Sequence, residues 1–238
     1  MTIESPETCG SAVVCSDLLG RSVEYTGRLR KEEWEVRPVS IAVGRELVER
    51  HHYAKGAANT RTYLHGLFRR GAFFDDECVG VAWWIPPTRS AAEATYPQNW
   101  QGVLALSRLV IAPGMPKNAC TFLLARSVKL IPANKWPCLV TYADDWRGHT
   151  GGIYRACNWT YLGKTGAEDT YTINGVMTAR KAGGHTRTKA QMLALGARCE
   201  GKHAKHKYVL MRERPNFLLN NTHACLRMIS KQSPERII

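Results

Sequence analysis

The sequence has 238 residues, 44% of them hydrophobic and 9% aromatic, which excludes a disordered chain and predicts a globular domain of generous size. The formal net charge of +13 predicts a polyanionic partner. Nucleic acid is favoured over a membrane surface, because no basic amphipathic helix with a wide apolar face is evident.

The first part of the chain predicts an arm, a short strand and an amphipathic helix. Positions 1–30 are polar and weakly patterned, and they are expected to form an N-terminal arm. A strand is predicted at 34–36 and a helix at 41–53, preceded by Ser40. The helix carries His52 and Tyr53 at its C-terminal end, where a histidine either interacts favourably with the helix dipole or has a functional role.

Two strands of a meander are predicted at 63–68 and 78–85. Trp83 and Trp84 fall on opposite faces of the second strand, because side chains alternate along a strand. We therefore expect at most one of them in the core. Trp84 is a candidate for stacking on a DNA base, with a place at the sheet edge as the alternative.

The middle of the sequence predicts a strand, a tight loop, a helix and a second strand. The first strand is predicted at Val103–Ile111, the helix at 119–131 and the second strand at 138–142. Backbone N–H groups and the helix dipole converge where such a loop meets a helix N-terminus, which favours phosphate. The candidate cofactor-binding residues there are Ile111, Lys117, Asn118 and Ala119.

Polar residues in or after these strands are the candidates for chemistry. Ser107 and Arg108 lie inside the first strand, and Arg108 is expected either to pair with an aspartate or to act in a cleft. Asp144 and Asp145 follow the second strand at its carboxyl end, where open α/β sheets place their ligands. One aspartate is expected to face the cleft and the other the solvent.

A GHTGG turn then leads into a short helix with Tyr154 and a strand predicted at 159–162. This order of elements resembles the central part of the GNAT acyltransferase fold, in which acyl-coenzyme A lies against a splayed pair of strands. The resemblance implies an α/β protein with a GNAT-like central mixed sheet flanked by helices and a basic C-terminal extension. It also implies that Tyr154 protonates the departing thiolate of coenzyme A, a proton transfer for which a phenol is suited.

Positive charge is concentrated late in the chain. Positions 180–214 hold ten Lys or Arg and two Glu, a net charge of +8 out of the +13 of the whole chain. Thr188 and Gln191 form a capping box for a short helix in this stretch. Charge at this density predicts contact with DNA phosphates. The candidate DNA-binding residues are Trp84, Arg180, Lys181, Arg187, Lys189, Arg198, Lys205 and Lys207.

Several long motifs in one order give a narrower resemblance. The central motifs are LSRLVIAPGMPKNACTFLL and LVTYADDWRGHTGGIYRACNWTYLG, with HHYAKGAANT upstream and GGHTRTKAQMLALG downstream. Together they resemble the Mom family of bacteriophage DNA-modification proteins over about positions 37–212.

The Mom resemblance implies an enzyme that adds a carbamoylmethyl (acetamide-type) group to N6 of adenine in duplex DNA and so protects it from host restriction. It implies acetyl-coenzyme A as cofactor and an iron requirement, for which His52 and Asp145 are the candidate ligands. It strengthens a functional role for His52 and Tyr53, and it places the protein in the bacterial host.

Composition and pattern also bound the alternatives. Positions 31–178 are expected to form the catalytic core and 179–238 the basic, DNA-contacting part of the same domain. The eight cysteines include no C-x-x-C pair and no signal peptide or membrane span is evident, so free thiols and a cytoplasmic location are expected. A conventional acetyl-coenzyme A-dependent N-acetyltransferase and a non-catalytic DNA-binding protein remain open alternatives.

Overall fold

The computed structural model describes residues 27–56, 58–70, 77–182 and 185–212, so most of the expected N-terminal arm and the end of the chain lie outside the described residues. The helices are α1 (Ile41–His51), α2 (Arg89–Glu93), α3 (Ala119–Leu130), α4 (Gly152–Ala156) and α5 (Lys189–Ala194). Two short 3-10 segments lie at Pro97–Gly102 and Asp145–Arg147. None of the helices in these ranges is long and apolar enough to cross a membrane.

A seven-stranded mixed sheet forms the centre of the molecule. Its strands are β1 (Trp34–Pro38), β2 (Tyr63–Arg69), β3 (Gly80–Ile85), β4 (Val103–Ile111), β5 (Cys138–Asp144), β6 (Thr160–Lys164) and β12 (Lys205–Met211). Their order is β1-β2-β3-β4-β5-β12-β6, with β4 and β5 parallel and the other neighbours antiparallel. The expected α/β fold with a central mixed sheet flanked by helices is confirmed.

Helices cover both faces of this sheet. On one face, Leu47 and Val48 of α1 pack against Leu64 and Trp83. On the other face, Leu123 and Leu124 of α3 belong to the largest core cluster, which also contains Trp84. Trp83 and Trp84 are both 0% exposed, so the expectation that at most one would be in the core is wrong. A strand covered on both sides buries every residue, whichever way it points.

A second, smaller sheet lies beyond the central one and is called the outer sheet below. It consists of β7 (Glu168–Ile173), β8 (Val176–Met177) and β11 (Arg198–His203), in the order β11-β7-β8. Helix α5 packs on it through Met192, which is buried with Tyr171 and Ala197. The remaining strands, β9 (Lys181–Ala182) and β10 (His185–Thr186), pair with each other.

The last described strand, β12, does not belong to a separate basic part. It lies between β5 and β6 in the central sheet and pairs with both over most of its length. The end of the basic stretch thus shares the central sheet with the expected core, and the DNA-contacting role of 179–238 stays a prediction. The apolar residues Tyr208 and Val209 account for this, because they pack into the core from a strand whose ends carry lysines.

Candidate active site

The site is a cleft opened by the divergence of β4 and β5. The two strands pair in parallel from Val103 opposite Cys138 to Leu106 opposite Thr141, and no further pairing follows. A register shift in the pairing of β3 with β4 occurs at the same level, between Trp83 and Trp84. The gap has a volume of about 560 Å³ and is lined by the second half of β4, the end of β5, the end of α1 and the turn into α4.

Tyr53 and Asp144 meet at this cleft. The Tyr53 hydroxyl donates to Oδ2 of Asp144 at 3.4 Å, and the Asp144 residue is only 4% exposed. Burial raises the pKa of Tyr53 to about 12, and the neighbouring carboxylate adds to this effect. The phenol therefore stays protonated at neutral pH and donates to a buried carboxylate that has one remaining oxygen for a ligand.

His52 is a neutral hydrogen-bond donor in this environment. Burial lowers its pKa to about 4, and the cation of Arg108 acts in the same direction. Its Nδ1 accepts the backbone N–H of Ala54 at 3.1 Å, so the proton of the neutral ring lies on Nε2. The ring also stacks on Tyr53, with 4.3 Å between the centroids.

Arg108 brings a positive charge to the wall of the cleft. Its guanidinium donates from Nε to the carbonyl of Gly56 at 2.8 Å and from Nη1 to the carbonyl of Ser107 at 2.7 Å. Among the described residues it forms no ion pair with Asp144 or Asp145, so that alternative is not realised there. Burial lowers the pKa of Arg108, yet arginine remains charged under ordinary conditions.

Ser107, the neighbour of Arg108 in β4, forms a hydrogen bond with the backbone of β3. Its hydroxyl donates to the carbonyl of Trp83 at 3.2 Å, where the register of β3 and β4 shifts. Both Ser107 and Arg108 line the cleft.

Tyr154 lies on α4 and closes one side of the cleft. Burial raises the pKa of its phenol, while a hydrogen bond with Thr141 opposes the rise. Its ring packs at 5.3 Å from Tyr208 and 5.9 Å from Trp159. The helix starts after Gly151, which has φ of 76° and leaves no room for a side chain beside Tyr208. A protonated phenol is thus held firmly in the cleft.

Asp145 lies outside the cleft and does not act beside Asp144. Its carboxylate accepts from Nζ of Lys164 at 2.7 Å and contacts Nε2 of His206 at 3.2 Å. The hydrogen bond from Lys164 lowers the pKa of Asp145 below its ordinary value. The expectation that one aspartate faces the cleft and the other solvent therefore matches this geometry, with Asp144 in the cleft.

These positions do not fit an iron site at His52 and Asp145. A neutral histidine that ligates a metal uses an unprotonated nitrogen, and Nδ1 of His52 is already occupied by an N–H group. Asp145 points its oxygens at Lys164 and His206 instead. Within the described ranges, no group of three or more His, Cys, Asp or Glu side chains could hold a metal ion.

The loop before α3 fits an anionic cofactor only in part. Ile111 and Cys120 line the cleft, so α3 begins beside it. The side chain of Asn118 accepts from the backbone of Leu29 at 2.6 Å and does not cap the helix, and Lys117 is exposed. The N–H of Ala119, however, already donates to the carbonyl of Pro116 at 2.9 Å. The uncapped start of α3 and the cation of Lys117 suit a phosphate, whereas the N–H of Ala119 is already hydrogen-bonded and cannot bind one.

Trp84 cannot stack on a DNA base, contrary to the sequence-based prediction. It is 0% exposed and its Nε1 donates to the hydroxyl of Ser127 at 2.7 Å. The same hydroxyl is 2.7 Å from Nδ1 of the buried His65. The Ser127 hydroxyl of α3 thus joins Trp84 and His65 in a buried polar network.

The candidate DNA-binding cations lie in several places. Lys189 is exposed on α5 and Arg198 on β11, where Arg198 pairs with Glu200 at 3.7 Å. Arg180 donates from Nε to the carbonyl of Arg187, and Lys181 belongs to β9. Their role in DNA binding stays a prediction.

Two lysines of β12 differ in their surroundings. Lys205 is exposed at the start of the strand. Its backbone lies opposite that of Asp144 in the antiparallel pairing of β12 with β5, so it lies near the cleft. Lys207 instead reaches the carbonyl of Ala94 after α2, at 3.4 Å.

Sequence reasoning missed two residues at the entrance of the cleft, Trp146 and Arg147. The guanidinium carbon of Arg147 lies 4.3 Å from the ring centroid of Trp146 and 5.4 Å from that of Tyr53. The imidazole of His149 contacts the edge of Tyr53 at 5.5 Å. The signal that could have found them is an aromatic and a cation between the end of a buried strand and a glycine-rich turn.

Comparisons with solved structures return acetyltransferases. An N-acetyltransferase from Staphylococcus aureus Mu50 is 12% identical, with 76% of this chain and 99% of that chain covered and a TM-score of 0.46. Spermidine N-acetyltransferase from Vibrio cholerae, solved with CoA and spermine, is 7% identical, with 76% and 97% covered and a TM-score of 0.45. No functional property of this chain follows from likenesses of this size.

Sequence comparison is more specific. The protein named methylcarbamoylase mom from Escherichia phage Mu is 27% identical over 179 residues, which cover 68% of this chain and 70% of that protein. The Mom protein family matches residues 33–233, a range that contains every residue of the cleft described above. The chain therefore belongs to the Mom protein family.

Proposed function

We propose that this protein modifies DNA by adding a carbamoylmethyl (acetamide-type) group to N6 of adenine in duplex DNA. The observation that carries the proposal is the convergence of Asp144, Tyr53, Arg108 and Tyr154 on one cleft in a chain of the Mom family. The name methylcarbamoylase, given to the phage Mu relative, supports this choice of group. In this assignment the modification protects phage DNA from host restriction.

The adenine amine is a poor nucleophile because its lone pair is delocalised into the ring, so it needs help from the protein. Asp144 is the group suited to this task, because a buried carboxylate accepts a hydrogen from the amine. Tyr53 holds Asp144 in place through its hydroxyl. We assign Asp144 as the base or orienting group and Tyr53 as its support.

Arg108 and Tyr154 serve the other reactant. Arg108 is a fixed cation whose Nη2 has no hydrogen bond to a described residue, so it can bind a carbonyl or phosphate oxygen. Tyr154 keeps its proton because burial raises its pKa, and it delivers that proton to the leaving group. His52 also lines the cleft and carries its proton on Nε2, which makes that nitrogen the donor of the ring.

An acyl-coenzyme A molecule is the small-molecule partner in this proposal. Acetyl-coenzyme A, when bound, would supply the two carbons of the added group, and an amine co-reactant that displaces the thiolate at its carbonyl would provide the amide nitrogen. Bonding of N6 to the methyl carbon would in addition require a two-electron oxidant as a co-reactant. Ile111 would border the cofactor along β4, and Lys117 with the uncapped first turn of α3 would hold its phosphates. No step is assigned to iron, because the side chains at His52 and Asp145 do not fit it.

Duplex DNA is the macromolecular partner. Lys205 at the start of β12, Lys189 on α5 and Arg198 on the outer sheet would neutralise phosphates of the duplex. An adenine N6 inside a duplex is out of reach of a cleft, so the base must leave the stack.

Mass spectrometry of nucleosides tests the proposal. Plasmid DNA recovered from bacteria that express the protein is expected to contain a heavier deoxyadenosine, whose added mass identifies the group. Asp144→Asn and Tyr154→Phe are expected to reduce the modified fraction by roughly 100-fold or more. Unmodified plasmid in cells with abundant folded wild-type protein would contradict the proposal.

The neighbouring residues of the chain offer matched controls. Asp145→Asn removes the same charge one residue away but outside the cleft, and Tyr161→Phe removes a phenol that contacts His206 instead of the cleft. Both variants are expected to retain modification. If Asp145→Asn and Asp144→Asn are equally inactive, the assignment of Asp144 is wrong.

A further inference from the structure

A row of planar side chains leads from the cleft to the outer sheet. Tyr53 in the cleft is followed by Arg147 at 5.4 Å, and Arg147 by Trp146 at 4.3 Å. Trp146 in turn contacts His203 of β11, with 5.9 Å between the ring centroids. The 3-10 segment Asp145–Arg147 thus places an aromatic ring and a guanidinium group between the cleft and the outer sheet.

The side-chain contacts of Arg147 among the described residues are with the aromatic rings of Tyr53 and Trp146. Arg147 is exposed and forms no hydrogen bond or ion pair with any other described residue. Its guanidinium carries five N–H donors, and its central carbon lies 4.3 Å from the centroid of the Trp146 ring. An arginine arranged in this way can take a phosphate without first breaking an ion pair.

A second arginine stacked on tryptophan shows that this arrangement is not general in the molecule. Arg89 lies 5.1 Å from the ring centroid of Trp100, but its Nε donates to Glu93 at 2.7 Å. Its charge is therefore already paired with a carboxylate. Arg147 has no such carboxylate partner among the described residues, and it lies beside Tyr53 of the cleft.

We propose that Trp146 and Arg147 receive the extruded adenine nucleotide at the entrance of the cleft, Trp146 stacking on the base and Arg147 gripping an adjacent phosphate. This inference rests on the proposed function and identifies how its substrate is held. A base that leaves the duplex loses its stacking partners, and an aromatic plane replaces them. The sequence of contacts then delivers the adenine toward Tyr53 and Asp144.

Binding to two single-stranded probes tests the role of Trp146. The probes are a ten-nucleotide oligodeoxyadenylate and the same strand with abasic sugars, and their affinities are measured by fluorescence anisotropy. Trp146→Ala is expected to weaken binding of the oligodeoxyadenylate roughly 5- to 100-fold and to leave binding of the abasic strand unchanged. Trp146→Phe keeps an aromatic plane and is expected to restore most of the affinity.

Salt dependence of the same binding tests the role of Arg147. Loss of one phosphate contact is expected to reduce the slope of log affinity against log salt by about 0.7 for a single strand. Arg147→Ala should show this change and Arg147→Lys should not. Trp146→Ala should leave the slope as it is.

Arg89→Ala and Trp100→Ala are the matched controls, because they remove the other stacked pair from a surface away from the cleft. Both are expected to bind either probe like the wild type. Equal weakening of the two probes by Trp146→Ala, or an unchanged salt slope in Arg147→Ala, would overturn the inference.

Nucleoside mass spectrometry separates this inference from the proposed function. If wild-type protein modifies plasmid DNA and the Trp146→Ala variant modifies it equally at limiting expression, the role of Trp146 in holding the base is wrong and the proposed reaction stands. If wild-type protein leaves the DNA unmodified while the two-probe result holds, the proposed reaction is wrong.

Discussion

The central sheet and the outer sheet are built in different ways. The central sheet is covered on both faces and buries large side chains such as Trp83, Trp84 and Tyr208 completely. The outer sheet has a small core around Tyr171 and Met192, and it leaves Val176, Leu193 and Leu195 partly exposed. Side chains that need fixed positions for chemistry lie on the central sheet, as Arg108 and Asp144 do, or are packed against it, as Tyr154 is. Most of the cations assigned to DNA lie on or near the outer sheet. The central sheet holds its side chains in fixed positions, whereas the outer sheet has a smaller core and is expected to be less rigid. Substitutions in each sheet test this difference.

Trp84→Ala should have the largest effect on stability. The substitution leaves a cavity between the sheet and α3 and removes the donor to Ser127, so we expect the free energy of unfolding to fall by about 3–5 kcal/mol. Urea denaturation measures this change, and Trp84→Phe, which keeps most of the volume, should lose less. A stable Trp84→Ala variant with weakened DNA binding would restore the role that the sequence suggested.

Two glycines with the same backbone φ, one beside the central sheet and one in the outer sheet, allow the packing of the two sheets to be compared. Gly151 and Gly175 both have φ of 76°, but a Cβ at Gly151 would overlap the Tyr208 ring and one at Gly175 meets nothing. We expect Gly175→Ala to cost about 1–2 kcal/mol from the backbone alone. Gly151→Ala should cost about 1–3 kcal/mol more through overpacking and should displace Tyr154. Equal losses in thermal unfolding would show that Tyr208 moves freely.

Acid should weaken the central sheet through His65. Burial lowers the pKa of His65 to about 4, whereas a histidine in the unfolded chain titrates near 6.5. Between these values the unfolded chain binds a proton that the folded chain does not, so stability falls as the pH falls from about 6.5 to about 4. At pH 5 the loss from this residue is about 2 kcal/mol. His52 acts in the same direction.

Urea midpoints at pH 7 and pH 5 measure the difference. The variant His65→Asn should be less stable than the wild type at pH 7 and should depend less on pH. An identical pH dependence of the two proteins would exclude His65 as its source.

Thr188→Ala should have the smallest and most local effect. The hydroxyl of Thr188 accepts from the N–H of Gln191, and the Gln191 side chain accepts from the N–H of Thr188. Loss of this capping box is expected to cost about 1 kcal/mol. Hydrogen exchange should show faster exchange in α5 and the outer sheet only. Faster exchange throughout the central sheet would mean that the two sheets unfold as one unit.

The local elements could be predicted because each carries its own signal. Val103–Ile111 is a strand in sequence and in structure, and α3 begins after Asn118 as expected. The capping box at Thr188 also follows from spacing alone. These features depend on neighbours along the chain, which the sequence displays directly.

Features that depend on distant parts of the chain could not be predicted in this way. Trp84 looked half-exposed because the pattern of one strand does not tell how many layers cover it. Asp144 and Asp145 looked equivalent until β12 and β6 supplied His206 and Lys164 as partners for the second. Arg147 gave no signal by itself, since its position matters only beside Tyr53.

The place of β12 also sets the order in which the molecule can be completed. A ribosome releases the chain from its N-terminus, and β6 is joined to the sheet only when residues 205–211 emerge and pair with both β5 and β6. The backbone of Lys205 then pairs opposite Asp144. The Tyr208 hydroxyl donates to the carbonyl of Thr150 at 2.5 Å, just before the helix that carries Tyr154. A nascent chain therefore lacks a finished cleft until nearly all of the basic segment has been synthesised, so catalytic competence and positive charge arise together.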